Sequence, residues 1–159
     1  MNAHHTSAHI QDLVAAWRTF FAHADWQKLI ANCQPIVNNN GIVYELPNVL
    51  GRPNESCAIV DMRTIAYSEP HYHASVEVYF GLSGTVTVYV SGKPNRLAAG
   101  DALVITSNKA HFTIPDAHSV FAVVNTPPFS LDDYHVLTES NHAIGFDKKE
   151  FMRLTKQAA

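Results

Sequence analysis

At 159 residues the chain is long enough to bury one substantial core, and a single folded unit is expected. Apolar residues make up 47% and charged residues 16%, a balance that excludes a disordered chain. A net charge of −3 leaves no electrostatic footprint for nucleic acid or anionic membrane, and no apolar run approaches the ~20 residues that span a bilayer. The opening residues, MNAHHTSAHIQDL, lack a basic stretch followed by an apolar one, so no signal peptide is expected. Cys33 and Cys57 lie far apart without metal or redox spacing and read as reduced thiols, which together with the missing signal points to a cytoplasmic protein. A Cys33–Cys57 disulfide is the alternative.

Taken in order, the chain opens with an end carrying His4, His5 and His9, which lack a carboxylate or cysteine partner nearby. From Ser7, Ile10, Leu13, Val14, Trp17, Phe20 and Phe21 recur at three- and four-residue steps and predict an amphipathic helix capped by Ser7 or Thr6. Asp12 near its start suits the helix dipole. A second short helix is predicted from Trp26 to Ala31, after Asp25, with Pro35 as its stop. Residues 1–35 thus form an N-terminal helical segment, expected to pack on the remaining domain, 36–159, as a lid or brace. The segment is too short and too acidic for a helix-turn-helix DNA reader.

Asn38-Asn39-Asn40-Gly41 marks a turn, after which the pattern changes to short strands. Strands are expected over 41–46, 57–67, 76–81, 84–91, 95–98, 102–106, 110–115, 119–125 and 134–138. Many short strands about ten residues apart, punctuated by Gly, Pro, Asn and Asp, point to an all-β sandwich or barrel. Beyond Pro127-Pro128 the chain turns irregular, and Asp147 caps a final helix, Lys148 to Lys156. Phe151, Met152 and Leu154 of that helix are expected to pack on the outside of the barrel or on a partner subunit.

One stretch, EPHYHASVEVYFGLSG, concentrates His71, His73 and Glu77. On an extended strand side chains alternate, so His71 and His73 share a face, and Glu77 has the same parity. His111 joins them if a distant strand folds alongside. Three imidazoles and one carboxylate suit a divalent transition metal, and Fe(II), Mn(II), Ni(II), Cu(II) and Zn(II) all fit that donor set. The alternative is a set of polar residues in a metal-free barrel, which would bury a carboxylate beside three histidines at considerable cost.

His71-x-His73-x-x-x-Glu77, with Gly84 beyond it, resembles the first motif of the cupin superfamily. Gly100-Asp101, a strand, a turn and then His111 resemble the second. The resemblance covers roughly residues 41–140 and is similar to that of compact microbial members. It implies a double-stranded β-helix, or jelly roll, with His71, His73, Glu77 and His111 as metal ligands inside the barrel. The second motif departs from the family pattern. Thr106 and Asn108 stand where the family has Pro and Gly, and Pro115 stands where it has Asn. Asn108 is able to adopt the left-handed conformation a Gly would supply.

Around these positions Tyr79, Thr113 and Gly81 share parity with the ligands and are expected to line a pocket. Tyr79 reads equally well as a core aromatic. Arg63 either receives an anionic substrate or points to solvent. Tyr72 should face away from the ligands. His118, in the Asp116-Ala117-His118 turn, is expected to be exposed, and His135 and His142 fall in the irregular C-terminal part. The Asn125-Thr126-Pro127-Pro128-Phe129 segment, with Asp132-Asp133 behind it, reads as structural.

The function this implies is a metal-binding protein acting on a small organic molecule, with a non-haem dioxygenase of an enolate, catechol or thiol as the first reading. Fe(II) is the favoured metal, and Glu77 and Tyr79 are the candidate catalytic residues. A metal-dependent isomerase or lyase of a sugar or keto acid is the alternative, and a non-catalytic ligand- or metal-binding module is the third. The family pairs commonly by sheet edges, which implies a homodimer.

Overall fold

The computed structural model describes residues 7–38, 41–62 and 67–158. Thr6, His4 and His5, the turn residues Asn39 and Asn40, Arg63 and the far end of the strand expected over 57–67 lie outside these residues.

Two helices come first, α1 (Ser7–His23) and α2 (Trp26–Ile30). The apolar stripe of α1 turns inward, and Leu13 and Trp17 are fully buried. The Asp25 carboxylate accepts from the Gln27 and Lys28 amides and so starts α2. Strands follow in the order β1 (Pro35–Asn38), β2 (Gly41–Leu46), β3 (Ser56–Met62), β4 (His71–Tyr72), β5 (Val76–Ser83) and β6 (Thr85–Val90). Then come β7 (Lys93–Ala98), β8 (Ala102–Ile105), β9 (His111–Pro115), β10 (Ser119–Thr126), β11 (His135–Val136) and the helix α3 (Lys148–Ala158). β1 and β4 depart from the sequence expectation. β1 is exposed throughout, so it carries no burial alternation, and β4 is only two residues long.

Two antiparallel sheets result, ordered β1-β2-β3-β10-β5-β8 and β11-β4-β9-β6-β7. From β3 to β11 the chain passes back and forth between them, which makes a jelly roll. The turn from β5 to β6 needs Gly84, whose φ is +67° and where an added Cβ would stand 2.3 Å from the His118 carbonyl oxygen.

In the first sheet β5 and β10 are buried on both faces. On β5 and β10, Val78, Phe80, Val120, Ala122 and Val124 face the helices and pack with Leu13 and Trp17. Each large apolar side chain so buried contributes roughly 1.5–3 kcal/mol. Tyr79 and Phe121 point the other way, between the sheets, among Met62, Val86, Val88, Leu97 and Ile105. This two-sided burial explains why both strands read as near-continuous apolar runs. A polar network anchors α1: the Trp17 indole donates to the buried Glu55 carboxylate at 3.2 Å, and Arg52 pairs with both Glu55 and Asp12.

On the second sheet, α3 packs against β9 through Phe151. The Asp147 carboxylate accepts from the Lys149 amide at 2.8 Å and starts the helix. Phe151 meets Phe112 edge-on at 4.9 Å, while Met152 stays 44% exposed. Among the described residues no helix is long and apolar enough to cross a membrane.

Candidate metal centre

Strand pairing assembles the cluster from both sheets. β4 pairs with β9 so that His71 lies directly opposite His111. Across the barrel β5 places Glu77 opposite Asn125 of β10 and Ile105 of β8. His73 lies just past β4, and its carbonyl accepts from the Asn108 amide at 2.8 Å. Asn108 has φ +57°, the left-handed conformation that an Asn at that turn is able to adopt.

His71, His73, Glu77 and His111 each offer one ligand atom, and these atoms all lie within 4.8 Å of one another. Two ligands on opposite sides of an ion, each about 2.1 Å from it, would be about 4.2 Å apart, so the cluster has the right size for one ion. All four residues are buried, His111 at 1% exposure and His71, the most open, at 7%.

Ring orientation is set by the backbone. His71 Nδ1 lies 2.8 Å from the Glu69 carbonyl, His73 Nδ1 2.9 Å from that of Ser75, and His111 Nδ1 2.8 Å from that of Lys109. A carbonyl only accepts, so each Nδ1 carries the proton, and in the neutral ring each Nε2 then presents a lone pair. His73 Nε2 is 2.9 Å and His111 Nε2 3.5 Å from Glu77 oxygens, yet neither makes a hydrogen bond. Proximity without alignment means the two nitrogens aim past the carboxylate. Buried orphan nitrogens of this kind, held in one tautomer beside a carboxylate, fit a divalent metal.

Burial and then the neighbouring His111 push His71 down to about 3, so it is neutral at physiological pH. Burial acts on His73 in the same direction, but the Glu77 carboxylate outweighs it and leaves His73 above its ordinary value. Glu77 stays ionised: burial opposes this, yet His111 and His73 hold its carboxyl well below the usual range.

Tyr79 lies on β5 two residues beyond Glu77. Its ring stacks on Phe121 at 5.2 Å in the apolar core, while burial and the nearby Glu77 carboxylate raise its phenol well above the ordinary value. Thr113 sits deeper in the barrel, its hydroxyl donating to the Met62 sulfur at 3.6 Å. Gly81 does not line the cluster, because it lies four residues along β5 from Glu77 and packs against the Ala98 carbonyl. His118 is half-exposed as expected, but its Nε2 lies 2.7 Å from the buried Asp61 carboxylate. Tyr72 points away and stacks on His135, and His142 lies in a 3-10 turn, His142–Ile144.

Three contributors to the site were not legible as such. Asn125 Nδ2 donates to Glu77 Oε2 at 2.8 Å, so the segment it opens touches the cluster. A polar residue with the parity of the inward-facing Phe121 is the signal that could have found it. Tyr134 stacks on His71 with ring centroids 4.4 Å apart. Beside it, the Asp133 carboxylate accepts from the Ala74 amide at 2.9 Å and the Ser75 amide at 3.2 Å, clamping the loop that carries His73. Nothing periodic in the sequence around Tyr134 and Asp133 points to these contacts.

A family model for the cupin domain matches residues 58–123. No curated protein matches the chain by sequence. Among solved structures, the Streptomyces nucleoside dehydratase Pac13 is 12% identical, covers 72% of this chain and 92% of its own, and superposes with a TM-score of 0.59. An RmlC-like cupin from Shewanella frigidimarina is 15% identical over 69% of this chain and 94% of its own, with a TM-score of 0.57. Oxalate decarboxylase from Bacillus subtilis is 16% identical over 82% of this chain but only 36% of its own, with a TM-score of 0.60. At such identities the likeness is one of fold.

Proposed function

The chain is a cupin-superfamily protein, and from that premise we propose that His71, His73, Glu77 and His111 hold one divalent transition metal for chemistry on a small organic molecule. The observation that carries this reading is the pair of buried, partnerless Nε2 atoms of His73 and His111 beside an ionised carboxylate. A folded protein rarely leaves such atoms unmatched unless another group completes them. Fe(II) is the favoured ion, and when bound it would supply Lewis acidity and access to O₂ chemistry, which makes a dioxygenase of an enolate, catechol or thiol the first reading. The residues around the cluster orient the donors: the carbonyls of Glu69, Ser75 and Lys109 fix the three rings, and the apolar interior behind Tyr79 and Thr113 keeps water out.

A second reading, a metal-dependent lyase or isomerase, draws on the two phenols near Glu77. Tyr79 and Tyr134 are both kept protonated by burial, so each phenol is suited to donate a hydrogen bond that orients a substrate oxygen without a redox step. A dehydratase and a decarboxylase are among the proteins that share this fold.

Metal analysis of protein prepared without chelator or added metal, followed by oxygen uptake with a catechol and diketone panel, separates these readings. About one iron per chain, lost in a His71→Ala, His111→Ala double variant, with Fe(II)-dependent oxygen uptake, supports the dioxygenase. Turnover without oxygen in the presence of Mn(II) or Zn(II) favours the lyase or isomerase. A wild-type protein that takes up no metal even after soaking overturns the proposal.

A further inference from the structure

Asn125 reaches the cluster from β10 and ties two of its members together. Its Nδ2 donates to Glu77 Oε2 at 2.8 Å and to Ser75 Oγ at 3.3 Å. Ser75 Oγ in turn lies 3.0 Å from His73 Nδ1. Asn125, Ser75 and Glu77 are each 4% exposed, so bulk water does not compete for these bonds. The pairing of β5 with β10, Glu77 opposite Asn125, fixes the distance from the backbone outward.

An amide is well suited to this position. It offers a donor without a charge, so it binds the carboxylate without neutralising it, and it has no proton to transfer. A lysine or arginine in its place would compete electrostatically with a cation at the cluster, and an aspartate would repel Glu77.

We propose that Asn125 is a positioning residue that binds Oε2 of Glu77 and thereby holds the carboxylate in one orientation toward the cluster. This rests on the metal-binding reading above. Held by Asn125, Glu77 does not swing between the cluster and a substrate as a mobile base, and proton transfer falls to other groups of the site. The same bonds couple Glu77 to His73 through Ser75, so the two ligands are positioned as a unit.

Co(II) serves as the probe, because its visible absorption bands report coordination number and symmetry. In Asn125→Ala the affinity for Co(II) is expected to fall about 10–100-fold, the range typical for loss of a group that orients a ligand. The visible bands should also change position and intensity, which a merely structural loss would not produce. Asn125→Asp keeps the shape but removes the donor and should lose at least as much affinity. Wild-type affinity together with an unchanged Co(II) spectrum in Asn125→Ala overturns the proposal.

Should either variant fail to fold, the wild-type protein answers by NMR. The two side-chain amide protons of Asn125 are expected to exchange slowly with solvent and to shift when Zn(II) is added. Fast exchange and no shift overturn the proposal. If the wild-type protein takes up neither Co(II) nor Zn(II), the metal reading falls and this inference with it. If the wild type binds and only the Asn125 results fail, the metal reading stands alone.

Discussion

β5 and β10 present two faces that are buried alike and stabilised oppositely. Toward the helices they show Val78 and Val124, both at 0% exposure, packed with Leu13 and Trp17. Toward the interior, at the end near β4 and β9, the same two strands show Glu77 and Asn125, both at 4%. Burying the first set is favourable in itself, at roughly 25 cal/mol per Å² of apolar surface. Burying the second set is costly unless every polar atom finds a partner. Asn125 supplies part of that match, and the orphan Nε2 atoms of His73 and His111 are what is left over. Burial therefore marks the helix-covered face as the source of stability and the inward end as the place where stability is given up for a polar cluster.

The strongest test strikes the apolar face. Trp17→Ala should lower the unfolding free energy by about 3–5 kcal/mol in urea denaturation, because it empties a large site and strips a donor from Glu55. The metal cluster lies elsewhere, so any stabilisation by metal should add to the lowered baseline unchanged. A variant that also lost the metal increment would break the separation between the two faces.

Next in size is the effect of metal on the polar end. At an ion concentration of about 100 times Kd the wild-type protein should gain about 2.7 kcal/mol, a rise in Tm of roughly 5–11 °C. Calorimetry with and without metal measures it, and in His111→Ala the rise should disappear while the metal-free protein still folds. An equal rise in that variant would place the ion somewhere other than the cluster.

A smaller effect follows from pH. His71 is depressed in the folded state to about 3 against an ordinary 6.5, so between these values the unfolded chain binds a proton that the folded one excludes. Stability of the metal-free protein should thus fall as pH drops below 6.5, by on the order of 2 kcal/mol between pH 6.5 and 5. His73, which is raised, contributes stability that is complete below 6.5 and lost only at higher pH, and so does not mask the trend. The depressed Glu77 contributes stability that is lost only as pH falls below the ordinary carboxylate range. Urea unfolding at pH 7, 6 and 5 measures the slope, and His71→Asn should flatten it. A slope unchanged in that variant would assign the proton to another group.

The smallest effect is expected at exposed apolar positions outside both faces. Leu131, 79% exposed, and Met152 should tolerate Leu131→Ser and Met152→Lys within about 0.5 kcal/mol by the same denaturation assay. A larger loss at Met152 would show that α3 depends on a contact beyond the second sheet.

Sequence by itself determined whatever is periodic or local. The three- and four-residue steps from Ile10 to Phe21 fixed α1 and its buried stripe, and short spacing kept His71, His73 and Glu77 close along the chain, although Glu77 meets the histidines through the crossing from β4 to β5 of the other sheet. Local chemistry likewise fixed the Gly84 turn and the Asp147 cap and allowed the left-handed Asn108. Only the tertiary structure decided which residues meet across strands. His111 joins the cluster because β4 and β9 pair in one register, and Asn125 meets Glu77 because β10 and β5 do. Tyr134 and Asp133 reach it from a segment with no regular pattern. The physical reason is that side-chain parity is a property of one strand, whereas register is set by the packing of both faces of both sheets at once. A slip of one residue would send Asn125 to the helix side and leave Glu77 without its amide partner.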